Sequence, residues 1–371
     1  MKSIWNVVIL IFILIVIGML YRRFEEKRIR EENKDNSKAI QNYLLDGATL
    51  GKSKKPILWI HVPYEYNSRN WLSFGSRTSF ELNQPYLYLT VRSIITQCDK
   101  SFTICLIDDN SFKKLIPGWN INMGKITNPI SDNMRQLGIM KLLHIYGGIN
   151  CPISFLCMKD LIGLYEKGTR ENKMFVCENN DKNITSTSFD FYPDLKFCGA
   201  KKENETVREL LDFMQRTMSH DFTSQSKFLG DFDRWVNKRV QSGKINMINA
   251  RDIGTKTMDD RPIKIEDLMS QKYLDIYPQT YGILIPADDI LNRRQYEWFG
   301  RLSDKQVLEC DNILANYMLV TIGEGGGHIL EPLEVKPDWV GFWKTPLYPG
   351  LYSLKPNFLG DDLQTLKYPG R

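Results

Sequence analysis

The sequence predicts an α/β fold in which a mostly parallel sheet is flanked by helices. Residues 57–62 and 102–107 are short, continuous apolar runs, which are typical of buried parallel strands. Between them, residues 85–97 carry a wide apolar face of helical period. A strand, a helix and a strand at this spacing form a βαβ unit. Because Asp108 and Asp109 follow the second run, we expect both carboxylates at the sheet edge where α/β proteins bind ligands.

Further elements follow from periodicity and from capping residues. Ser131 is a suitable N-cap for a helix that ends at Gly147 and Gly148, where a left-handed C-cap is expected. A strand is predicted at residues 174–177 and a strand-like run at 283–286. The second half is richer in helices, which are predicted at residues 205–218, at 226–240 and from the capping box at Ser303 to about residue 320.

The composition is that of a globular protein. The chain has 371 residues, of which 42% are hydrophobic and 25% charged, and this excludes a disordered, collagen-like or polytopic membrane protein. At about 150 residues per domain, the length predicts two or three domains. The net charge of +5 is small and scattered, which excludes a dedicated nucleic-acid-binding protein. The seven cysteines form no CxxC pair, so neither a zinc site nor a disulfide framework is supported.

The N-terminal residues predict a membrane anchor. Residues 4–20 are almost continuously apolar and would span about 25 Å as a helix. The run ends in Tyr21 and two arginines instead of the small residues of a cleavage site, which favours an uncleaved anchor over a signal peptide. Basic residues concentrated after the span favour a cytosolic body. The sequons at Asn183 and Asn204 would be usable only in a lumen, so a lumenal body stays open.

An acid and an arginine at the start of one predicted helix form a candidate binding site. Asp132 and Arg135 are three residues apart and therefore lie on one side of the first turn. The carboxylate can accept hydrogen bonds from a ribose or a base, and the guanidinium can bind a phosphate or a carboxylate. The alternative is a surface ion pair whose acid is favoured by the helix dipole.

One segment of the sequence resembles a known family. It consists of Ser131-Asp132-x-x-Arg135, about a dozen helical residues and then Tyr146-Gly147-Gly148. This arrangement resembles the sugar-binding region of GT-A glycosyltransferases in the family-32 and capsular-polysaccharide-synthesis group. The resemblance covers about residues 56–160, and beyond it there is only a general similarity to large-DNA-virus relatives of that group. It implies a nucleotide-sugar donor, a glycan or glycoprotein acceptor and a GT-A-like fold. The substrate-binding residues that it implies, together with the strand-end acids, are Asp108, Asp109, Asp132, Arg135, Gly147 and Gly148.

The sequence departs from that group at the metal site. The resemblance implies two metal-binding aspartates at positions 152 and 154, where this chain has Pro152 and Ser154. Mg²⁺ and Mn²⁺ prefer carboxylate oxygens. Three explanations stay open. The protein could bind Mn²⁺ or Mg²⁺ through other carboxylates such as Asp108 or Asp109, it could neutralise a diphosphate with Arg and Lys side chains, or it could lack catalysis.

Two segments of the second half are further candidates. Residues 323–327 are glycine-rich and could form a loop that closes over a diphosphate with His328 as donor or ligand, or only a glycine turn. Asp288 and Asp289 follow Pro286 and fit a helix start, with an acceptor-site base as the other interpretation. His61 and His144 are assigned to the core or surface. No catalytic residue is identified.

The sequence thus predicts a single-pass, membrane-anchored glycosyltransferase that uses a nucleotide-sugar donor. The alternative is a catalytically inactive glycan-binding or scaffolding protein with the same fold, anchored in a viral or host membrane. We expect an anchor at residues 1–21, a stalk at 22–55, the GT-A-like donor-binding region at 56–200, and a helix-rich acceptor-side region with a C-terminal strap at 201–371.

Overall fold

The computed structural model describes residue 19 and residues 55–62, 84, 86–126, 130–181, 188–220, 230–302 and 304–325. The chain forms two compact units, Met1–Leu44 and Leu45–Arg371, and the fold described below belongs to the second. The predicted anchor, apart from Met19, most of the stalk, Asn183 and His328 lie outside the described residues. Within the described residues, the helices are all too short or too polar to cross a bilayer.

A six-stranded sheet forms the centre of the fold. Its strand order is β2 (Thr103–Ile107), β1 (Ile57–His61), β3 (Gly148–Asn150), β6 (Phe191–Ala200), β5 (Met174–Asn180) and β7 (Ile245–Ile248). Strand β6 is antiparallel to both of its neighbours, and the other five strands share one direction. Strands β4 (Phe155–Cys157) and β8 (Gly282–Leu284) form a separate antiparallel pair. The predicted α/β class with a mostly parallel sheet is confirmed.

Helices connect these strands and cover the sheet. In chain order they are α1 (Tyr86–Cys98), α2 (Ser111–Leu115), α3 (Ile130–Tyr146), α4 (Ile162–Gly168), α5 (Glu205–His220), α6 (Asp231–Gln241), α7 (Ile265–Leu268), α8 (Ala287–Asn292), α9 (Asp304–Leu308) and α10 (Ile313–Gly325). Helix α3 follows β2 along the chain and precedes β3, which is parallel to β1. It therefore begins near the edge where β2 ends.

Two apolar clusters hold these elements together. The first packs α3, α5 and α6 against the sheet and includes Trp59, Leu142, Met214 and Trp235. The second joins α1, α10 and the two-stranded sheet. Each fully buried large side chain stabilises the fold by about 1.5–3 kcal/mol. All seven cysteines are buried.

The sequence locates the early elements well and some later ones poorly. The strands at 57–62 and 102–107 and the helix between them are confirmed within a residue or two. Strand β6 was not predicted, because Pro193, Asp194 and Lys196 interrupt its apolar pattern. The prediction of a single helix from Ser303 to about residue 320 is wrong. The chain forms α9 and α10 instead, and the Asn312 side chain accepts a 2.8 Å hydrogen bond from the Ala315 backbone nitrogen at the start of α10.

The second sequon asparagine has a structural role. Asn204 is buried, its Oδ1 accepts a hydrogen bond from the Val207 backbone nitrogen at 3.1 Å, and its Nδ2 donates to the Asn172 carbonyl at 2.7 Å. Asn204 therefore caps the start of α5. Because the nitrogen that would carry a glycan is buried in a hydrogen bond, the folded protein cannot be modified there. The side of the membrane on which the body lies stays a prediction.

Candidate functional site

The candidate site lies at the carboxyl edge of the six-stranded sheet. We define the carboxyl edge as the edge at which β1, β2, β3, β5 and β7 end. The order β2-β1-β3 makes the chain connections diverge between β1 and β3. Ligands of α/β sheets bind in the crevice outside such a point. His61 is the last residue of β1, Asp109 lies two residues past β2, and α3 begins at this edge. We therefore expect these residues to belong to the functional site.

Asp109 and Arg135 form a planar, bidentate ion pair at the carboxyl edge. Arg135 Nε donates to Asp109 Oδ1 at 3.0 Å, and Nη2 donates to Oδ2 at 2.9 Å. The remaining terminal nitrogen of Arg135, Nη1, donates to Asp132 Oδ1 at 3.1 Å. Arg135 is 15% exposed and Asp109 is 19% exposed, whereas Asp132 is 55% exposed. The guanidinium thus holds two carboxylates, of which Asp132 is the more accessible to a ligand.

His61 completes this cluster from the end of β1. Its Nε2 lies 2.9 Å from Asp109 Oδ1, and its ring stacks on Phe112 of α2 at a centroid distance of 5.5 Å. Burial alone would raise the pKa of Asp109, but the hydrogen bonds and charges of His61 and Arg135 lower it from 3.8 to about 2. Asp109 is therefore ionised at any physiological pH and is held in place by His61 and Arg135.

Asp108 has a different role from its neighbour. Its Oδ1 accepts hydrogen bonds from the Ser111 backbone nitrogen at 2.8 Å and from the Ser111 hydroxyl at 2.6 Å. Asp108 thus provides a hydrogen-bond acceptor for a backbone nitrogen at the start of α2. Of the two strand-end acids predicted as substrate-binding, Asp109 enters the cluster with Arg135, and Asp108 stabilises the turn before α2.

Gly147 and Gly148, which the resemblance implied as substrate-binding residues, lie away from the carboxyl edge. Their φ angles are +73° and +108°, and Gly147 donates to the Leu143 carbonyl as the C-cap of α3. A Cβ atom on Gly148 would lie 2.0 Å from the carbonyl oxygen of Ile57, at the start of β1. Gly148 is needed for the close passage of β3 beside β1, and both glycines lie at the opposite edge of the sheet from Asp109.

A bulge in β6 brings a lysine to the carboxyl edge. Val176 pairs with Cys198 and Cys177 pairs with Asp194, so residues 195–197 have no partner in β5. The Lys196 carbonyl accepts a 2.8 Å hydrogen bond from Asn150 Nδ2, at the end of β3. Its backbone nitrogen donates to Asp194 Oδ1 at 2.8 Å. Bulges of this kind re-aim side chains next to functional sites.

The ammonium of Lys196 lies among carboxylates from several elements. Lys196 Nζ is 3.3 Å from Asp288 Oδ2, and the two side chains are 63% and 71% exposed. Partial desolvation of the side chain would lower the pKa of Lys196, but the charges of Asp288, Asp194 and Asp132 raise it above its ordinary value. Of the predicted pair at the start of α8, Asp288 thus reaches the carboxyl edge, whereas Asp289 is 3.9 Å from Arg293 of the same segment.

Asp233, in the first turn of α6, is a half-buried acid near the same lysine. Burial raises its pKa from 3.8 to about 7, the charge of Asp194 adds to this rise, and Lys196 opposes it. The start of α6 also favours the ionised form, by about 0.3–1 kcal/mol, which is smaller than the burial effect. A carboxyl group that titrates near neutral pH is suited to accept or donate a proton.

The residues after β3 do not fit the metal site that the resemblance implied. The Pro152 carbonyl accepts a hydrogen bond from the Phe155 nitrogen at 3.1 Å, and the Ser154 carbonyl accepts one from Ile285 at 3.0 Å. Neither residue offers a carboxylate. Among the residues that the structure describes, no group of three or more His, Cys, Asp or Glu side chains is arranged to hold a metal ion.

Sequence reasoning missed four residues of the carboxyl edge: His61, Asp194, Lys196 and Asp233. His61 is the last residue of β1, and Asp108 and Asp109 directly follow β2. Because both positions lie at the ends of parallel strands, the sequence could have identified His61 as a site residue. The other three gave no such signal, because β6 was not recognised and α6 was expected to begin earlier. Predicted helix residues 226–229 lie outside the described part of the chain.

No model of a protein family matches the chain, and neither does any curated protein. The activity must therefore be inferred from the groups that the fold brings to the carboxyl edge.

Proposed function

We propose that this protein is a glycosyltransferase that transfers a sugar from a nucleotide-sugar donor to a glycan or glycoprotein acceptor, on a GT-A-like fold held at a membrane by residues 1–21. The observation that carries the proposal is the convergence of Asp109 and Asp132 on Arg135 at the carboxyl edge. It supports the site because α/β sheets bind nucleotides there, beside the β1/β3 divergence.

In this proposal each member of the cluster has a distinct task. Asp132 is half-exposed and accepts hydrogen bonds from the hydroxyl groups of the donor ribose. Arg135 and His61 hold Asp109, and Arg135 holds Asp132, so the guanidinium acts as a positioning residue. The ion pair with Asp109 leaves the bidentate face of Arg135 occupied, and a phosphate therefore needs another cation.

Asp233 is the best-supported general base for the acceptor. An inverting transfer requires a group that removes the proton of the acceptor hydroxyl as its oxygen attacks the anomeric carbon. The charges of Asp194 and Lys196 act on Asp233, and its pKa of about 7 suits it to accept a proton near neutral pH. Asp233 belongs to α6, which packs on the same face of the sheet as α3, the helix that carries Asp132 and Arg135.

The donor site can be tested by isothermal titration calorimetry of the full-length chain with UDP- and GDP-sugars, with and without Mn²⁺. We expect one of them to bind and Asp132→Asn to weaken binding about tenfold or more, because a charge-assisted hydrogen bond is lost. The matched control is Glu205→Gln. Glu205 and Arg208 form the same i,i+3 pair in the first turn of α5, at the other edge of the sheet.

The result also separates the two candidate functions. Binding of a donor together with release of the free sugar or its transfer supports the enzyme. Binding without turnover in the presence of many acceptors would favour the inactive glycan-binding or scaffolding protein. If no nucleotide-sugar binds the wild-type chain with or without Mn²⁺, the donor site does not exist.

A further inference from the structure

We infer that Lys196 supplies the positive charge that holds the diphosphate of the donor, so that the site works without a divalent cation. This inference rests on the proposed function and names the group that binds the reacting phosphates. It is carried by the position of the ammonium at the carboxyl edge and by the chemistry of the residues around it.

The backbone of Lys196 is fixed while its side chain is accessible. Its carbonyl is bound by Asn150 at the end of β3, and its nitrogen is bound by Asp194, so the bulge cannot shift freely. The side chain is 63% exposed, and its contact is with an equally exposed partner, Asp288, at 3.3 Å. Exposed ion pairs of this kind are weak, so phosphate oxygens can displace the carboxylate.

Lys196 lies where the charged group of a bound nucleotide would be expected. Asn150 is the last residue of β3, and Lys196 is therefore beside the divergence of β1 and β3, where α/β sheets bind nucleotides. Asp132, which is proposed to bind the ribose, lies at the same edge, where it accepts a hydrogen bond from Arg135. A diphosphate attached to that ribose would extend toward Lys196.

The residues at the two implied metal positions disfavour a divalent cation. Pro152 and Ser154 stand where the resemblance implied carboxylates, and their carbonyl oxygens are already hydrogen-bonded. A lysine on a phosphate oxygen can supply the electrostatic stabilisation that a metal ion would otherwise give.

The transfer step balances without any further reactant. The acceptor oxygen forms a bond to the anomeric carbon, and the bond from that carbon to the β-phosphate oxygen breaks. The electron pair stays on the phosphate oxygen of the departing nucleoside diphosphate, beside the Lys196 ammonium. The acceptor proton goes to the Asp233 carboxylate, and later passes to water.

The test is titration of full-length protein with UDP and GDP, in EDTA and in excess Mn²⁺. We expect one of them to bind equally well in both, and Lys196→Met to weaken binding about tenfold or more. Lys196→Arg should retain binding. Lys201→Met, which removes an exposed lysine just past the other end of β6, should have no effect.

Two further measurements separate a phosphate contact from a structural role. The corresponding nucleoside, uridine or guanosine, should bind Lys196→Met and wild type equally, because it carries no phosphate. Asp288→Asn should strengthen diphosphate binding, because it removes the competing carboxylate. Binding that requires Mn²⁺, or wild-type affinity in Lys196→Met, overturns this inference and leaves the proposed function standing. Failure of both diphosphates and both nucleosides to bind wild type overturns both.

Discussion

Arg135 binds Asp109 through two parallel hydrogen bonds, Nε to Oδ1 at 3.0 Å and Nη2 to Oδ2 at 2.9 Å. The pair joins the first turn of α3 to the end of β2, two elements that the chain connects through a segment of more than twenty residues. Because both side chains are largely buried, the pair fixes where α3 begins relative to the carboxyl edge. It thereby also fixes Asp132, which shares the same guanidinium.

Asp109→Asn should destabilise the protein, because it leaves Arg135 buried without its main counter-charge. We expect a loss of about 2–4 kcal/mol in the free energy of unfolding at neutral pH, measured by urea denaturation. The control is Asp231→Asn, which removes an exposed i,i+3 partner of Arg234 and should cost less than about 1 kcal/mol. Equal effects of the two substitutions would show that the Asp109–Arg135 pair contributes no more to stability than an exposed ion pair.

The same residue should contribute to acid sensitivity. The pKa of Asp109 is lowered on folding from 3.8 to about 2, so its ionised form stabilises the folded state above pH 4. This contribution, about 2 kcal/mol, is lost as the pH falls from about 4 to 2. Urea denaturation at pH 6, 4 and 3 should therefore show a steeper loss for wild type than for Asp109→Asn. Parallel pH dependences would contradict the lowered pKa.

Asp233 should act in the opposite direction. Its pKa is raised on folding, to about 7, so ionisation opposes folding, and this part of the stability is lost as the pH rises from about 4 through 7. Asp233→Asn removes the effect, and the stability difference should shift in favour of the variant between pH 4 and pH 8. Denaturation at these two pH values measures it, and a shift toward wild type would be the contrary result.

Asp233 also predicts a catalytic pH profile. As a general base it must be ionised, so kcat for sugar transfer should rise through about pH 7 in wild type. Asp233→Asn should lower kcat about 100-fold or more while nucleotide binding is kept. A variant that retains the wild-type kcat and pH profile would exclude Asp233 as the base without affecting the donor site.

Gly148→Ala should disrupt the sheet. A Cβ atom at Gly148 would lie 2.0 Å from the Ile57 carbonyl oxygen, and φ is +108°. We expect a loss of more than about 3 kcal/mol in thermal or urea unfolding. The control is Gly243→Ala, where φ is +72° but no atom lies within 4 Å of the added Cβ, so the cost should be about 1–2 kcal/mol. A Gly148 variant as stable as the Gly243 variant would mean that β1 and β3 can separate freely.

Local patterns in the sequence identified the first half of the carboxyl edge. Apolar runs of strand length at 57–62 and 102–107 predicted β1 and β2, and the acids that follow β2 had to lie where these strands end. The spacing of Asp132 and Arg135 likewise fixed their common side of a helix. These predictions succeeded because each depends on residues that are close together in the chain.

Only the tertiary structure decided which charged groups meet. Lys196 and Asp288 are 92 residues apart, and no local period relates β6 to the start of α8. The sequence could not show that a bulge re-aims Lys196, because a bulge is defined by the pairing of two strands. It could not separate the partners of Asp108 from those of Asp109, because Arg135 meets Asp109 only in the folded chain. It also could not show that Gly148 lies at the opposite edge of the sheet, because that depends on how β3 pairs with β1. Local sequence therefore determined the strands and the helix start, while burial and long-range pairing determined the composition and charge of the site.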